Sequence, residues 1–403
     1  MDVSHLFGVL VVMLLGAKAF GALAQRIGQP AVLGELVAGV LLGTSVLGLV
    51  NPRNEVLHVM AELGVVILLF EIGLETDLRK LLQVGGTSSA VAIVGVVLPF
   101  GLGYGVCRIL GLDHLSATVT GATLTATSVG ITARVLSDLN RLQEPESQII
   151  LGAAVIDDVL GLMILAVVAG LTRGQDVTLL GIARTSAVAV GFLLITLLFG
   201  RLTVPALVRL GRRLPGTPTM LAVILAFALA WLASTAGLEL IIGAFAAGLL
   251  LRDTPQAHDI ERGVSHLGHF FVPLFFVTVG AAVDVRVLSP LDAANRPTLL
   301  VGGLLIAVAV VGKFLAGYAP WWFRGNKNVI GIGMVPRGEV GLIFAQMGLT
   351  AGVFDPGFFS AVTLTVMVTT FIAPPLLRLL FPPTPLAQQP VKPEGVQELV
   401  TEA

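Results

Sequence analysis

Long apolar runs separated by short polar breaks dominate the chain, and they last too long and recur too often for a soluble domain. A bilayer-spanning helix needs about 20 consecutive, mostly apolar residues. Thirteen segments qualify or come near: 4–24, 30–50, 57–75, 86–111, 116–138, 148–171, 177–200, 217–236, 238–252, 264–283, 298–319, 328–351 and 358–380. The ninth is short for a span. Run length selects helices, because barrel strands alternate polar and apolar positions over about ten residues. The pattern therefore predicts an all-α membrane protein of about 13 transmembrane helices. Residues 1–380 form the transmembrane domain, and the polar, Pro-rich stretch 381–403 has the composition of a disordered tail.

Composition supports this. Asp, Glu, Lys and Arg together make 12% of the 403 residues, against about 25% in an ordinary soluble protein. The 47 glycines suit helices packed closely in lipid. A net charge of −1 gives nucleic acid nothing to bind. The one cysteine, Cys107, can form no internal disulfide and fits as a packing residue. The start, Met1-Asp2-Val3-Ser4-His5, lacks the basic region that precedes the apolar core of a cleaved signal, so the first span is expected to be retained.

Lys and Arg set the orientation. With the N-terminus outside, fifteen fall in inside loops and adjoining span ends and five in outside ones. Thirteen spans then place the C-terminus in the cytoplasm.

The chain also resembles itself. Gly34–Leu42 (GELVAGVLL) matches Gly243–Leu251 (GAFAAGLLL), 209 positions later. Gly73 and Asp77 match Gly280 and Asp284, Gly103-Tyr104 matches Gly317-Tyr318, and Ser128–Ile131 matches Glu339–Leu342, at offsets of 207, 214 and 211. Four matches in order at one drifting offset imply a duplication. The shift moves span 2 to span 9, and seven is odd, so the second copy is inverted in the membrane. The copies cover about 30–171 and 238–380, with span 4–24 outside them and 177–236 as linker. Inverted repeats are a transporter architecture whose site lies near the midplane, where discontinuous helices meet.

Charged residues inside spans are the chemical candidates, since each costs about 2.5–3.5 kcal/mol to insert centrally. Asp157 and Asp158 sit mid-span. Neighbours on a helix point about 100° apart, so the two carboxylates meet different partners. A buried carboxylate that holds either a proton or a hard cation is the minimum part for exchange, and Asp158 is the candidate cation ligand. Lys313 in span 11 is the basic partner expected for Asp157, as a proton-releasing pair or a permanent one. Two stretches, Thr123–Thr132 and Val335–Leu342, read as the breaks of two crossed discontinuous helices. Thr127 and Ser128 would add oxygens to the cation shell. Glu339 would balance the positive half-helix N-termini and Arg337 the negative C-termini. Glu35 and Glu71 would line a water-filled cavity or pair with basic neighbours. Asp77 and Asp284 read as span-end residues, and His266 and His269 as interfacial.

These residues lie in motifs that resemble the second group of bacterial monovalent cation:proton antiporters: Gly34–Gly39 (GELVAG), Ala61–Gly64 (AELG), Thr125–Arg134 (TATSVGITAR), Gly152–Gly161 (GAAVIDDVLG), Gly312-Lys313 and Pro336–Leu342 (PRGEVGL). The resemblance implies that Asp158 is the main ion ligand and that Asp157 pairs with Lys313. It also implies a homodimer in a bacterial inner membrane, an elevator-like core and electrogenic exchange of sodium or lithium for protons in pH homeostasis. No cofactor is expected. Glu71 departs from the neutral residue the family pattern would place there. Potassium/proton exchange by the same residues is the main alternative, and sodium-coupled organic-anion symport a weaker one. An intramembrane aspartyl protease fails on geometry, because its two Asp must converge on one water.

Overall fold

The computed structural model describes residues 2–172, 217–283, 285–288 and 296–381, with isolated positions between 187 and 200. Its helices are α1 (Val3–Arg26), α2 (Ala31–Leu42), α3 (Glu55–Glu75), the short α4 (Leu78–Gln83), α5 (Gly85–Ile109), α6 (His114–Thr123), α7 (Val129–Asp138) and α8 (Pro145–Thr172). They continue with α9 (Thr217–Thr235), α10 (Leu240–Arg252), α11 (Ala257–Ala281), α12 (Arg296–Ala316), α13 (Lys327–Gly333), α14 (Glu339–Thr350) and α15 (Pro356–Leu380). Among the described residues, 8 helices are long and apolar enough to cross a membrane. The span expected over 177–200, the Arg-rich loop 201–216, Asp284 and the tail beyond 381 lie outside the described residues.

One expected span is cut short. The segment 30–50 holds a helix of only 12 residues. It stops at Gly43, and a loop with Gly48 at φ 68° follows until Asn54 caps α3. The segments 116–138 and 328–351 are each interrupted, at residues 124–128 and 334–338. Side-chain caps set several starts: Asp113 accepts from the Leu115 and Ser116 N–H groups at α6, Asn326 does so at α13, and Asp355 at α15, where Pro356 opens the helix.

The helices pack as two bundles. In the first, α2 and α3 lie against α10 and α11, with α1 and α9 outside them. In the second, α5, α8, α12 and α15 surround the half-length α6, α7, α13 and α14. The bundles meet along a seam where α2 and α3 of the first face α7 and α15 of the second. One apolar cluster runs across that seam, joining Leu36, Leu68 and Phe275 to Val129, Ile131 and Leu377.

Glycines bring the first bundle's backbones into contact. A Cβ on Gly39 would lie 2.3 Å from the Val277 carbonyl and 2.8 Å from Gly280 Cα, and one on Gly280 would lie 2.2 Å from the Leu36 carbonyl. Gly73 and Gly248 form the matching contact, with a Cβ on Gly73 2.4 Å from the Phe245 carbonyl and one on Gly248 2.3 Å from the Phe70 carbonyl. Gly34 meets the Phe20 carbonyl and Gly243 the Leu229 carbonyl, each 2.1 Å from where a Cβ would stand. Gly34 and Gly243, Gly39 and Gly248, and Gly73 and Gly280 are the positions that match in sequence at offsets of 207–209.

A side chain at these crossings has to push two backbones apart, an overpacking cost of about 1–3 kcal/mol. Gly39→Val should lower the melting temperature of the detergent-purified protein in a heating and size-exclusion assay. Gly8→Val, where a Cβ meets nothing within 4 Å, should leave it unchanged.

Candidate functional site

At the centre of the second bundle the interruptions of the two broken helices touch. The Ser128 N–H donates to the Pro336 carbonyl at 2.8 Å. The hydroxyl of Thr132 donates to the Gly333 carbonyl at 2.8 Å and that of Thr127 to Met334 at 3.4 Å. These bonds serve carbonyls that the end of α13 leaves without intrahelical donors. The Thr127 and Ser128 side chains are buried, and the Thr127 backbone N–H also bonds Asp157.

Asp157 takes the charged role beside α7. Its Oδ2 accepts from the Thr127 N–H at 2.9 Å and lies 3.2 Å from Lys313 Nζ, with Oδ1 at 3.4 Å. Both side chains are buried, at 1% and 0% exposure. Gly95 of α5 faces the lysine, and a Cβ there would lie in ordinary contact with it, 3.6 Å from Nζ. A buried ion pair is stable only when further hydrogen bonds satisfy it, and the Thr127 N–H supplies one. The carboxylate also sits close to the start of α7, where the helix dipole favours negative charge.

Arg337, fully buried, lies at the negative ends. Its Nη2 donates to the carbonyl of Leu124, the C-cap of α6, at 2.5 Å, and its Nη1 donates to Val335 at 3.0 Å. Nη2 also reaches the Ala309 carbonyl of α12 at 3.5 Å. Thr370 of α15 donates to the Arg337 carbonyl at 2.5 Å. Glu339 is the first residue of α14.

Asp158 faces elsewhere. It is partly exposed and lines a cavity of ≈ 10 Å³ with Leu69 of α3, Ile241 and Phe245 of α10, and Val129 of α7, about the minimum for one water molecule. Asp157 thus points into its own bundle and Asp158 across the seam, as neighbours about 100° apart require. At the end where the chain begins, cavities of ≈ 180 and ≈ 670 Å³ separate the bundles. Arg337 and Thr370 line the first of these, and Glu62 and His58 line both.

The remaining expected residues lie away from this centre. Glu35 is buried near the opposite end, 4.0 Å from Arg134, and lines a cavity of ≈ 570 Å³. Glu71 packs against Gly268, whose missing side chain makes room for the carboxylate. Asp77 accepts from the Arg79 N–H at the start of α4, and His266 and His269 are exposed. Sequence reasoning missed Arg134 and Asp138 as a pair. Arg134 Nε lies 3.0 Å from Asp138 Oδ1, and Asp138 Oδ2 accepts from the Val32 N–H of α2 at 3.4 Å. The signal was present as opposite charges four residues apart on one helix.

Residues 9–381 match the sodium/hydrogen exchanger transmembrane family. The chain belongs to this family. It is 42% identical to the high-affinity Na+/H+ antiporter NhaS3 of Synechocystis sp., over 95% of this chain and 91% of the relative. It is 35% identical to the Na+/H+-K+ antiporter GerN of Bacillus cereus, over 93% and 96%. Its fold is similar to that of the sodium proton antiporter MjNhaP1 of Methanocaldococcus jannaschii, with a TM-score of 0.66 at 19% identity, covering 94% of this chain and 96% of that one. The antiporter is a multi-pass membrane transporter of monovalent cations and protons, and not an enzyme.

Removing one member of a buried ion pair strands the other, at about 3–5 kcal/mol. Lys313→Ala and Asp157→Ala should each lower thermal stability in detergent, and the double variant should lose clearly less than the sum. Additive losses would show that the two side chains do not depend on each other.

Proposed function

We propose that this antiporter exchanges sodium or lithium for protons by competition at Asp158. The observation that carries this is the division of labour in α8. Asp157 is committed to Lys313 and the Thr127 N–H inside the second bundle, while Asp158, one residue on, lines the seam between bundles. At low proton concentration Asp158 ionises and takes the cation, and protonation on the other side of the membrane displaces it. Carbonyls and hydroxyls of the interrupted segment around Thr127 and Ser128 complete the oxygen shell. When the cation binds, Lys313 releases its proton, so more proton charge than cation charge moves and exchange is electrogenic.

The two interrupted helices are the crossed discontinuous pair of an inverted repeat. The repeat is supported by contacts that swap between copies, Gly39 with Gly280 and Gly73 with Gly248. The equivalence of Gly34 on Phe20 and Gly243 on Leu229 extends the repeat to α1 and α9, which sequence reasoning had left outside it. The second bundle is the moving core of an elevator and the first its stationary support, with α1 and α9 exposing apolar faces to lipid or to the second copy of a homodimer. The positive-inside count puts the N-terminus outside, so the two cavities lined by Glu62 open outward.

Potassium remains the second cation to test, because GerN is described as a Na+/H+-K+ antiporter. The test is proton flux in sealed proteoliposomes with an interior pH probe. Sodium or lithium should trigger proton movement in the wild type and none in Asp158→Ala. Retained exchange in that variant would remove Asp158 from its role. Apparent cation affinity should fall as pH drops, by up to about tenfold per unit once Asp158 is mostly protonated. Constant affinity between about pH 6 and 9 would defeat competition at a single site.

A further inference from the structure

We infer that Arg134 and Asp138 of α7 are positioning residues that latch the cytoplasmic side of the seam shut, so that the transport site opens outward until the latch is broken. The inference takes the orientation of the membrane and the relative movement of the bundles from the function proposed above.

The latch begins with a helix that cannot cap itself. Helix α2 starts after Pro30, which has no side chain able to accept from the first turn. Its orphan N–H groups sit at a buried helix start and need an acceptor. The acceptor comes from the other bundle: Asp138 Oδ2 takes the Val32 N–H at 3.4 Å. Its other oxygen faces Arg134 Nε at 3.0 Å. Arg134 in turn lies 4.0 Å from Glu35, one turn into α2. Asp138 thus serves two masters across the seam, the α2 N-terminus and the guanidinium on its own helix. Lys18 of α1, which lines the cavity beside Glu35 and Arg134, adds the remaining nearby charge.

Two more bonds cross the seam on this side. Arg378 of α15 donates to the Ile27 carbonyl at 3.4 Å, over the turn made by Gly28 at φ 71°. Gln143 donates to the Glu75 carbonyl at the end of α3. Cavities of ≈ 180 and ≈ 670 Å³ lie between the bundles on the outer side, and one of ≈ 570 Å³ lies beside the latch on this side. Space therefore exists at both ends, and what holds the cytoplasmic end is the set of polar bonds that tie α7, α15 and the α7–α8 turn to the first bundle there. For Asp158 to reach the cytoplasm, α7 has to leave α2, and the Asp138–Val32 bond is a contact that must break.

The test is sided labelling with a membrane-impermeant thiol reagent, in a Cys107→Ser background. Val129→Cys, beside Asp158, reports inward opening, and Ala61→Cys, on the outer cavity, reports outward opening. Asp138→Ala should raise labelling at position 129 from the cytoplasmic side and lower it at position 61 from outside. The expected change is about fivefold, the population shift that loss of one helix cap corresponds to. Asp138→Asn keeps an acceptor for the Val32 N–H and should stay close to the wild type, which a requirement for overall folding alone would not predict. Arg134→Gln should shift the same way as Asp138→Ala, by less. A folded, monodisperse Asp138→Ala protein with unchanged labelling on both sides would overturn the latch. If instead the wild type shows no cation-triggered proton flux, the proposed exchange falls, and the labelling still decides the latch independently.

Discussion

A helix that stops inside a membrane leaves N–H and C=O groups with no water to satisfy them, and each costs several kcal/mol. Two helices stop at the centre of this protein, at Thr123 and Gly333, and restart at Val129 and Glu339. Most of what surrounds them answers that cost. Arg337 collects carbonyls from three directions. Asp157 receives the Thr127 N–H, and Thr132 and Thr370 serve carbonyls of the facing break. Lys313 is then needed to balance Asp157. The charged centre is the solution to a backbone problem.

That order explains why two adjacent aspartates are not redundant. Asp157 has its oxygens taken up by the backbone and the lysine, so neutralising it exposes two groups at once. Asp158, one residue on, lines the seam between the bundles instead.

Much of this was legible in the sequence. Run length gave the long helices, and Pro336, the glycines and the small polar residues of Thr123–Thr132 marked both breaks. The mid-span charges pointed to Asp157 and Lys313 because an unpaired charge there is so costly. Other features were not legible. The break at Gly43 was hidden by the apolar residues that follow it, Val46, Leu47 and Leu49, which are exposed in a loop. Arg134 looked like one more positive-inside residue, and only the fold brings Asp138 against Val32. That Asp157 also takes the Thr127 N–H at the start of α7 was not legible either, because proximity to a helix end depends on packing between helices that sequence order does not show.

The glycine crossings of the first bundle carry a consequence for heredity. Every replacement of glycine adds a Cβ, so at Gly34, Gly39, Gly73, Gly243, Gly248 and Gly280 no substitution is small: each would put an atom within 2.4 Å of a neighbouring carbonyl oxygen. Gly8, Gly101 and Gly105 meet nothing within 4 Å and are free to drift. Variation among descendants of this chain should therefore be lopsided. It should collect on the lipid-facing sides of the helices and leave untouched a few points where two backbones touch.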